Sequence, residues 1–497
     1  MVISCAKDDT TLGGNPISEI VIKEGSVQPQ YNLSKNETLV INPIVSQSIP
    51  GKELSYEWEV AHKIVSTSQE FTYLCNELGS FDCRLIVSNE DGKAFASFTI
   101  NVNTNYEEGL VIISNSPDGE SMVSFMLHDT ETNEDYFYDY DVFNKNNPEI
   151  GLASNISDAI ISNGSLILSC KGDTGTSPTI YYLNEKTMEL ENYVAVPEYE
   201  GFSPLQLIVC SVAFPGASYP VLSDDGKVYD FASTEGTVVE SSKFPSLYDT
   251  DTSVFYDSGT GTSYNIFFWD KADKVLVTMF NGYGGYYCLP AYEERSDRGN
   301  INPTSNIFAP GNDTPIAMFI PRYKTAELLR DTPLLYVITE SNGRLRRTAL
   351  NKSVWVYNSD DGKNHFDLRE SFTDIGEVSQ SNLEKGTPMI ASNTNKSLFF
   401  AKGNVIYRWH YPQGNITSAT VFTKVGNNAS VIKSMDLSAD QSILYVASYD
   451  SSKDGKNGSG HIIPIKMTSS TEEIYAGETV DFDGISYQPV KILYKKK

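Results

Sequence analysis

Short apolar segments recur along most of this 497-residue chain, and their recurrence restricts its fold more than any other feature. They return at intervals of roughly 42 to 73 residues, turn residues separate them, and helical periodicity between them is nearly absent. Repeats of about 40–50 residues with four strands each are typical of β-propellers. The seven repeats begin at Leu110–Ile113, Ala159–Ile161, Leu207–Val209, Val254–Tyr256, Ile316–Phe319, Met389–Ala391 and Val431–Ile432. We therefore predict an all-β fold with a β-propeller over residues 105–497. Seven blades is the preferred number, and a blade more or fewer stays open.

Turn signals support the repeat. Asn-Gly, Asp-Gly or Gly-Asn precedes an apolar strand in Ser162–Leu168, Ser223–Tyr229, Glu340–Leu345 and Lys402–Tyr407, as expected for hairpins. The two longest intervals predict loops at Glu293–Pro315 and Asn358–Glu384. The last apolar segment, Ile485–Tyr494, predicts a strand that completes the first blade and removes its free edge.

An alternating pattern marks a separate domain over residues 17–104. Tyr56, Trp58 and Val60 fall on one face of a strand, and alternate residues of Phe81–Val87 fall on one face of another. The segment 89–92 ends in Asp-Gly, which favours a tight turn. These strands predict an immunoglobulin-like β-sandwich with Trp58 in its core.

The residues of this domain resemble a known family. Tyr56–Val60, Gly79–Asn89 and the Asp91-Gly92 turn resemble the PKD-type β-sandwich. Ala61-His62-Lys63 stands where that family has a Gly-Asp-Gly turn. The resemblance implies a PKD-like domain that serves as a spacer or as an interaction surface.

The first residues resemble the end of a bacterial lipoprotein signal. Val2-Ile3-Ser4-Cys5 is similar to a lipobox, in which a small residue precedes the cysteine that becomes acylated. Lys7, Asp8 and Asp9 resemble the export signal of surface lipoproteins in Bacteroidota. The resemblance implies an acylated Cys5, and residues 1–16 are then the lipobox remnant and a tether. Several acyl chains hold a protein stably at a membrane.

Net charge limits the partners. The chain has 38 basic and 64 acidic residues, for a net charge of −26. Nucleic acid is excluded as a partner, because phosphate binding needs a basic face. Direct adhesion to anionic lipid is disfavoured, so we expect membrane contact through the acyl anchor alone. Long-range repulsion favours neutral glycans or basic peptides over acidic polysaccharides.

Recognisable catalytic and metal-binding motifs are absent from the sequence. The five histidines form no His-x-x-x-His pair, and neither a Gly-x-Ser-x-Gly elbow nor a phosphate-binding glycine loop occurs. The segment Asp450–Gly458 departs from calcium-loop spacing. We therefore expect no catalytic residue, no metal and no cofactor. The many acidic residues leave a carboxylate pair for glycoside chemistry open.

Aromatic residues near turns are the best candidates for ligand contact, because tyrosine offers a flat apolar ring and a hydroxyl. The predicted ligand-binding residues are Tyr283, Tyr286, Tyr287, Trp355 and Tyr357. The first three lie among glycines, and the last two precede a polar loop. The remaining tryptophans are assigned to the core: Trp58, Trp269 and Trp409.

The order of a lipidated cysteine, a PKD-like domain and a propeller resembles the PKD-like family of surface lipoproteins in Bacteroidota. The resemblance implies a location on the outer membrane, facing outward, and a SusC/SusD-type TonB-dependent importer as partner. We expect a binding protein that captures oligopeptides or glycans for that importer. Two alternatives stay open: a propeller hydrolase or lyase acting on surface polysaccharide, and a scaffold of the importer complex that binds no ligand.

Overall fold

A computed structural model describes most of the chain. The described residues are 16–128, 136–162, 164–196, 201–208, 218–232, 236–241, 244–252, 254–257, 264–282, 285–290, 293–295, 301–303, 313–323, 333–358, 363–412, 414–453, 459–469 and 474–496. The chain divides into two compact units, Met1–Asn105 and Tyr106–Lys497, hereafter the N-unit and the ring unit. The predicted lipidation and export residues Cys5, Lys7, Asp8 and Asp9 lie outside the described residues, as does Tyr283.

The described part of the N-unit consists of strands and turns. Its strands are β1 (Ile20–Ile22), β2 (Gln30–Ser34), β3 (Thr38–Ile41), β4 (Val45–Gln47), β5 (Ser55–Val60), β6 (Lys63–Ser66), β7 (Phe71–Leu74), β8 (Gly79–Asn89) and β9 (Gly92–Asn103). A five-stranded sheet has the order β2-β9-β8-β5-β6, in which β2 runs parallel to β9. The strands β3 and β7 form an antiparallel pair, and so do β1 and β4.

Trp58 lies at the centre of the N-unit core, as predicted. Its ring is fully buried and stacks on Phe71 with 4.6 Å between ring centroids, and its indole Nε1 donates to the Ser68 carbonyl at 2.8 Å. Phe71 comes from β7, whereas Trp58 comes from β5, so one core joins the two-stranded and five-stranded sheets. Cys75 and Cys83 are buried in this core as free thiols. Burial raises the pKa of the Cys83 thiol to about 11, which keeps it protonated.

The turn between β5 and β6 has an unusual backbone. Ala61 has φ 48° and His62 has φ 65°, so two successive residues with side chains adopt the left-handed conformation. Two-residue hairpin turns of this kind normally use Asn-Gly or Gly-Gly, because a Cβ is strained there. The Ala61-His62 pair therefore keeps the geometry of a glycine turn without its glycine.

Seven sheets make up the ring unit among its described residues, and a two-stranded hairpin adds to them. The first sheet, blade 1, contains β10 (Gly109–Asn115), β11 (Ser121–His128) and β12 (Tyr136–Asp139), and the last strand of the chain completes it. The helix α1 (Val142–Asn146) follows. Blade 2 contains β13 (Ile156–Ser162), β14 (Ser165–Cys170), β15 (Thr179–Asn184) and β16 (Leu190–Ala195). Blade 3 contains β17 (Pro204–Leu207), β18 (Ser218–Ser223), β19 (Val228–Ala232) and β20 (Thr237–Glu240).

The next two sheets are joined through the hairpin. Blade 4 contains β21 (Val254–Asp257), β22 (Tyr264–Asp270), β23 (Val275–Gly282) and β24 (Gly285–Pro290). The hairpin consists of β25 (Glu293–Arg295) and β26 (Ile301–Pro303). Blade 5 contains β27 (Thr314–Phe319), β28 (Pro333–Ser341), β29 (Arg344–Asn358) and β30 (Lys363–Glu377).

The last two sheets lead back to the first. A 3₁₀ turn at Val378–Gln380 precedes blade 6, which contains β31 (Met389–Ser392), β32 (Ser397–Lys402), β33 (Val405–His410) and β34 (Thr420–Lys424), with a second 3₁₀ turn at Ile416–Ser418. Blade 7 contains β35 (Ser430–Leu437), β36 (Ile443–Asp450), β37 (Gly460–Ser469), β38 (Ile474–Thr479) and the extra strand β39 (Phe482–Ser486), which pairs with β37. The final strand is β40 (Gln488–Lys495).

Hydrophobic clusters join the sheets into a closed ring. Each cluster takes residues from two successive sheets, and the last one joins blade 7 to blade 1 through Tyr445 and Ile112. Neighbouring residues alternate between clusters. In β22, Phe268 packs toward blade 3, whereas Phe267 and Trp269 pack toward blade 5. This is the architecture of a seven-bladed β-propeller.

The ring closes through β40, which pairs antiparallel with β10 from Gly109–Lys495 to Asn115–Gln488. The C-terminal strand thus takes the innermost position of blade 1 and contacts the inner strands β13 and β35. Leu110–Ile113 was expected to open its blade, yet it lies in the second strand, because β40 occupies the first position. The predicted loops also need correction: β25 and β26 lie within 293–315, and β30 fills much of 358–384.

Buried carboxylates connect the inner strands. Asp158 of β13 accepts a hydrogen bond from the Leu207 backbone nitrogen at 2.8 Å and pairs with the Lys491 Nζ at 2.6 Å. Its carboxylate therefore joins blades 1, 2 and 3. Asp436 of β35 accepts from the Tyr494 backbone nitrogen at 2.6 Å and pairs with the Arg322 Nη1 at 2.6 Å. The apolar pattern of the inner strands did not indicate that Asp158 and Asp436 connect the blades.

β-Bulges set the direction of the polar side chains that connect the inner strands. The pairing of β13 shifts by one residue just before Asp158, that of β35 just before Ser434, and that of β10 with β40 next to Lys491. The Ser434 hydroxyl then accepts from the Ile492 backbone nitrogen at 3.1 Å. A bulge turns a side chain away from the regular alternation of a strand. The inner strands therefore bond to each other through side chains, since they do not pair as a sheet.

We predict that Asp158→Ala lowers the free energy of unfolding by about 3 kcal/mol, because it leaves Lys491 and a buried backbone N–H without their acceptor. Asp158→Asn keeps an acceptor for the N–H, so a smaller loss of about 1–2 kcal/mol is expected. Urea unfolding followed by circular dichroism measures both. The control is Glu240→Gln, which breaks the exposed Lys227–Glu240 pair and should leave stability essentially unchanged, because solvent screens the pair. Equal losses in all three variants would contradict the assignment.

Candidate functional site

The topology gives the ring unit two faces. The upper face carries the segments that lead into the first strand of each blade and the turns between second and third strands. The lower face carries the turns between first and second and between third and fourth strands. In five blades the described part of the upper turn contains a glycine with positive φ: Gly119, Gly172, Gly226, Gly343 and Gly403. The carbonyls of Gly119, Gly226, Gly343 and Gly403 each accept a backbone N–H from the chain that leads into or begins the following blade, at 2.7–3.0 Å.

Two charged contacts bridge blades that are not neighbours. On the upper face, Lys385 leads into blade 6 and pairs with the buried Asp249, which leads into blade 4. On the lower face, Arg322 follows the first strand of blade 5 and pairs with Asp436 of blade 7. Each contact therefore passes across the blade between its partners. Both carboxylates are buried and both cations are about one third exposed. We therefore assign these ion pairs to the stability of the ring unit.

The predicted ligand-binding aromatics lie on two adjacent blades. Tyr286 and Tyr287 lie in β24 of blade 4, opposite Asn281 and Phe280 of β23. Trp355 and Tyr357 lie near the end of β29 in blade 5. Both positions flank the turn between third and fourth strands, which belongs to the lower face. The fold therefore brings these four residues to the outer part of one face, away from the inner strands.

Blade 5 extends beyond the ring as a ribbon. β29 and β30 have 15 residues each, whereas the third and fourth strands of the other blades have 4 to 10. Pairing of β29 with β28 ends at Asn351, and the described pairing of Trp355–Asn358 is with Lys363–Phe366 of β30. The seven residues after Asn351 correspond to roughly 20 Å of extended chain. In this ribbon Trp355 is the register partner of Phe366, and Tyr357 that of Asn364.

A buried ion pair fixes the base of the ribbon. Arg347 of β29 binds Glu370 of β30 through two bonds, Nη2–Oε1 at 2.6 Å and Nε–Oε2 at 3.0 Å. Its Nη1 donates to the Tyr411 carbonyl in blade 6, and its guanidinium lies 5.8 Å from the centre of the Trp409 ring. Arg347 is 4% exposed. The ribbon is therefore attached to blade 6 as well as to its own sheet.

The same region contains a cluster of buried tyrosines. Tyr336 and Tyr411 pack edge to face with 4.8 Å between their centroids, and Phe319 stacks on Tyr336 at 5.2 Å. Burial raises the pKa of Tyr336 to about 12, with a smaller opposing effect from Arg347. The hydroxyl therefore stays neutral. These rings and Trp409 belong to the core between blades 5 and 6, as predicted for Trp409.

Among the described residues, no group of three histidine, cysteine or carboxylate side chains could hold a metal ion. In the loop after β36, the Asp450 carboxylate accepts from the Ser452 hydroxyl at 2.6 Å and from the Asn427 amide at 2.9 Å. These bonds lower the pKa of Asp450 to about 2. Its carboxylate therefore caps the turn.

No family model matches the chain, and no curated protein matches it. Three solved structures illustrate its structural relatives. A quinoprotein alcohol dehydrogenase-like protein from Bacteroides thetaiotaomicron is similar over 96% of this chain and 99% of its own, with 17% identity and a TM-score of 0.47. The β-propeller domain of Myceliophteria thermophila Cps50 (Swd1) is similar over 66% and 89%, with 10% identity and a TM-score of 0.34. The Dos1 propeller is similar over 82% and 90%, with 9% identity and the same TM-score. All three scores lie below 0.5, so the ring is established by the seven sheets and the clusters between them.

We predict that Arg347→Ala lowers the free energy of unfolding by about 3 kcal/mol, since Glu370 and the Tyr411 carbonyl lose their donor. Arg347→Lys should not restore stability, because an ammonium cannot make the two-bond fork to Glu370. Urea unfolding, with limited proteolysis to locate the loosened ribbon, measures the effect. Arg344→Ala is the matched control: its guanidinium binds Asp374 and Glu377 on the same strand pair, but all three side chains are about half exposed. We expect a loss of about 0.5 kcal/mol or less for it. Full rescue by lysine would contradict the role given to the fork.

Proposed function

We propose that this protein is a binding protein, and that the ribbon of blade 5 and the outer hairpin of blade 4 form its capture site. The observation that carries the proposal is the ribbon itself. It extends past its sheet, pairs Trp355 with Phe366 and Tyr357 with Asn364, and is attached near its base by the Arg347–Glu370 ion pair. Tyr286 and Tyr287 lie on the adjacent blade at the same face. Aromatic residues on a projecting element suit stacking against a ligand.

The ligand is an oligopeptide or a glycan. Sugar rings and peptide groups both offer a flat face for an aromatic ring and polar groups for tyrosine hydroxyls. The net charge of −26 favours a neutral glycan or a basic peptide.

To test the site, the wild type is screened against an array of neutral oligosaccharides and a library of short peptides. The affinity of each hit is then measured by isothermal titration. We expect the double variant Trp355→Ala/Tyr357→Ala to bind at least about tenfold more weakly, since each lost stacking contact costs about 0.5–1.5 kcal/mol. Tyr287→Ala should give a smaller loss.

Tyr193→Ala is the control, because Tyr193 lies on the outer strand of blade 2 and is 47% exposed. Its affinity should match that of the wild type. If the double variant bound a hit as tightly as the wild type, the ribbon would not be the capture site. An absence of hits in both collections would favour a scaffold role.

We further propose that the chain is a PKD-like surface lipoprotein of the outer membrane that delivers its ligand to a SusC/SusD-type importer. Support comes from the lipobox-like Val2–Cys5, the Lys7-Asp8-Asp9 sequence and the tryptophan-centred β core of the N-unit. No described helix has the length and apolar character needed to cross a membrane. The proposed attachment is the acyl chain on Cys5 of the lipobox-like sequence.

Cys5→Ala tests the attachment in cells that express the natural precursor. We expect the variant to fold normally but to leave the membrane fraction and to become inaccessible to protease added outside the cells. Cys75→Ala is the matched control, since Cys75 is a buried thiol whose loss should leave the location unchanged. Retention of Cys5→Ala in the membrane fraction would refute the lipid anchor.

A further inference from the structure

A groove of about 400 Å³ opens on the N-unit, on the face of the five-stranded sheet opposite the Trp58 core. Its volume lies in the range of small-ligand sites. The lining comes from three neighbouring strands and from the strained turn after β5. It contains both polar side chains and parts of core residues: Pro29, Glu59, His62, Asp82, Cys83, Arg84, Ser97, Phe98 and Thr99.

Strand register arranges the polar side chains in two rows. Glu59, Arg84 and Ser97 are register partners across β5, β8 and β9. Two residues further along, Asp82 is the partner of Thr99. Alternate residues of a strand share a face, so both rows point into the groove, roughly 7 Å apart. Cys83 and Phe98 between the rows point to the core and form the floor.

The charges of the groove are unevenly compensated. Arg84 binds the Glu59 carboxylate through Nη2 at 2.8 Å and Nε at 3.0 Å, and its guanidinium lies 5.6 Å from the Phe95 ring centre. Arg84 is therefore already neutralised. The Asp82 carboxylate has no hydrogen bond or ion pair within the described part of the chain. The groove thus carries one uncompensated negative charge beside the hydroxyls of Ser97 and Thr99.

The turn at the rim is built at a conformational cost. Ala61 and His62 both hold positive φ values, where glycine would be relaxed, and this conformation places His62 in the groove lining. Strain of this kind persists where the surrounding structure fixes it and is concentrated at functional sites. His62 supplies an imidazole at the edge of the groove that a Gly-Gly turn would lack.

From this geometry we propose that the groove binds an alkylammonium group, as carried by the lysine side chain of a peptide or partner protein. The ammonium lies at Asp82, with the hydroxyls of Ser97 and Thr99 as further acceptors. The aliphatic stem lies along the backbone of Cys83 and Phe98 and against Pro29. The Glu59–Arg84 ion pair closes one end of the groove. Because its two charges compensate each other, it repels neither the ammonium of the ligand nor the Asp82 carboxylate. The N-unit is then a recognition module in its own right, separate from the capture site on the ring unit.

The test uses the full chain and two probes that differ only in the terminal ammonium group, Nα-acetyl-lysine methylamide and Nα-acetyl-norleucine methylamide. Binding is measured by isothermal titration. We expect the lysine probe to bind and the norleucine probe to bind at least about fivefold more weakly, since it lacks the charge that pairs with Asp82. Added salt should weaken the lysine probe selectively.

Asp82→Asn should reduce affinity for the lysine probe by about fivefold, with the norleucine probe unaffected. Glu70→Gln is the matched control, because Glu70 is an exposed carboxylate of the same unit outside the groove. Its affinity should equal that of the wild type. Equal binding of the two probes would overturn the proposal, and so would equal affinity of the Asp82→Asn and Glu70→Gln variants for the lysine probe.

Discussion

The pairing of β40 with β10 is the interaction on which the ring unit depends. It joins residues 373 to 386 positions apart in the chain, and it turns a row of sheets with two free ends into a closed ring. Without β40 the first blade would lose its inner strand, and the cluster between blades 7 and 1 would lose Ile492. Polar bonds reinforce the pairing at both neighbours: Asp158 holds Lys491 from blade 2, and Asp436 holds the Tyr494 backbone from blade 7. Stability of the ring unit is therefore cooperative around the circle, because each blade needs a partner on both sides.

Burial of every sheet on both faces explains which parts of the fold the sequence could predict. In a blade, alternate residues pack against the preceding and the following blade, so both faces of a strand are apolar. The strands therefore appear in the sequence as continuous apolar runs, which show where a strand lies but not its order within the blade. That is why the runs located strands in all seven blades, and why Leu110–Ile113 could still be placed one strand too early. Its true position depends on a strand at the other end of the chain. The upper turns of blades 3, 5 and 6 were predictable for a local reason, since a glycine with positive φ both reverses the chain and offers its carbonyl to the next blade.

The polar contacts were beyond prediction, because they depend on contacts between distant segments. The sequence places Asp158 beside the apolar segment Ala159–Ile161, but nothing local shows that its carboxylate joins three blades. A one-residue bulge sets its direction, and bulges leave no pattern of their own in an apolar strand. The same holds for Arg347. Its neighbours Arg344 and Arg346 give an identical local signal, yet only Arg347 among the three is buried against Glu370 and Trp409. For the proposed capture site, the sequence could name aromatics near turns, while their placement on adjacent blades follows from the topology.

Paired carboxylates on the inner strands stabilise the ring unit, whereas we propose that the unpaired carboxylate of Asp82 binds a ligand. On the inner strands, the carboxylates of Asp158 and Asp436 each bind a cation and a backbone N–H, and these bonds connect the blades. In the N-unit groove, the hydroxyls of Ser97 and Thr99 lie beside Asp82, and among the described residues no cation binds its carboxylate. A buried charge must be paired to be tolerated, whereas an exposed one at a concave surface costs little and stays available. Recognition chemistry is therefore expected at the periphery, on the ribbon of blade 5 and in the N-unit groove, while the centre of the ring serves to hold the blades together.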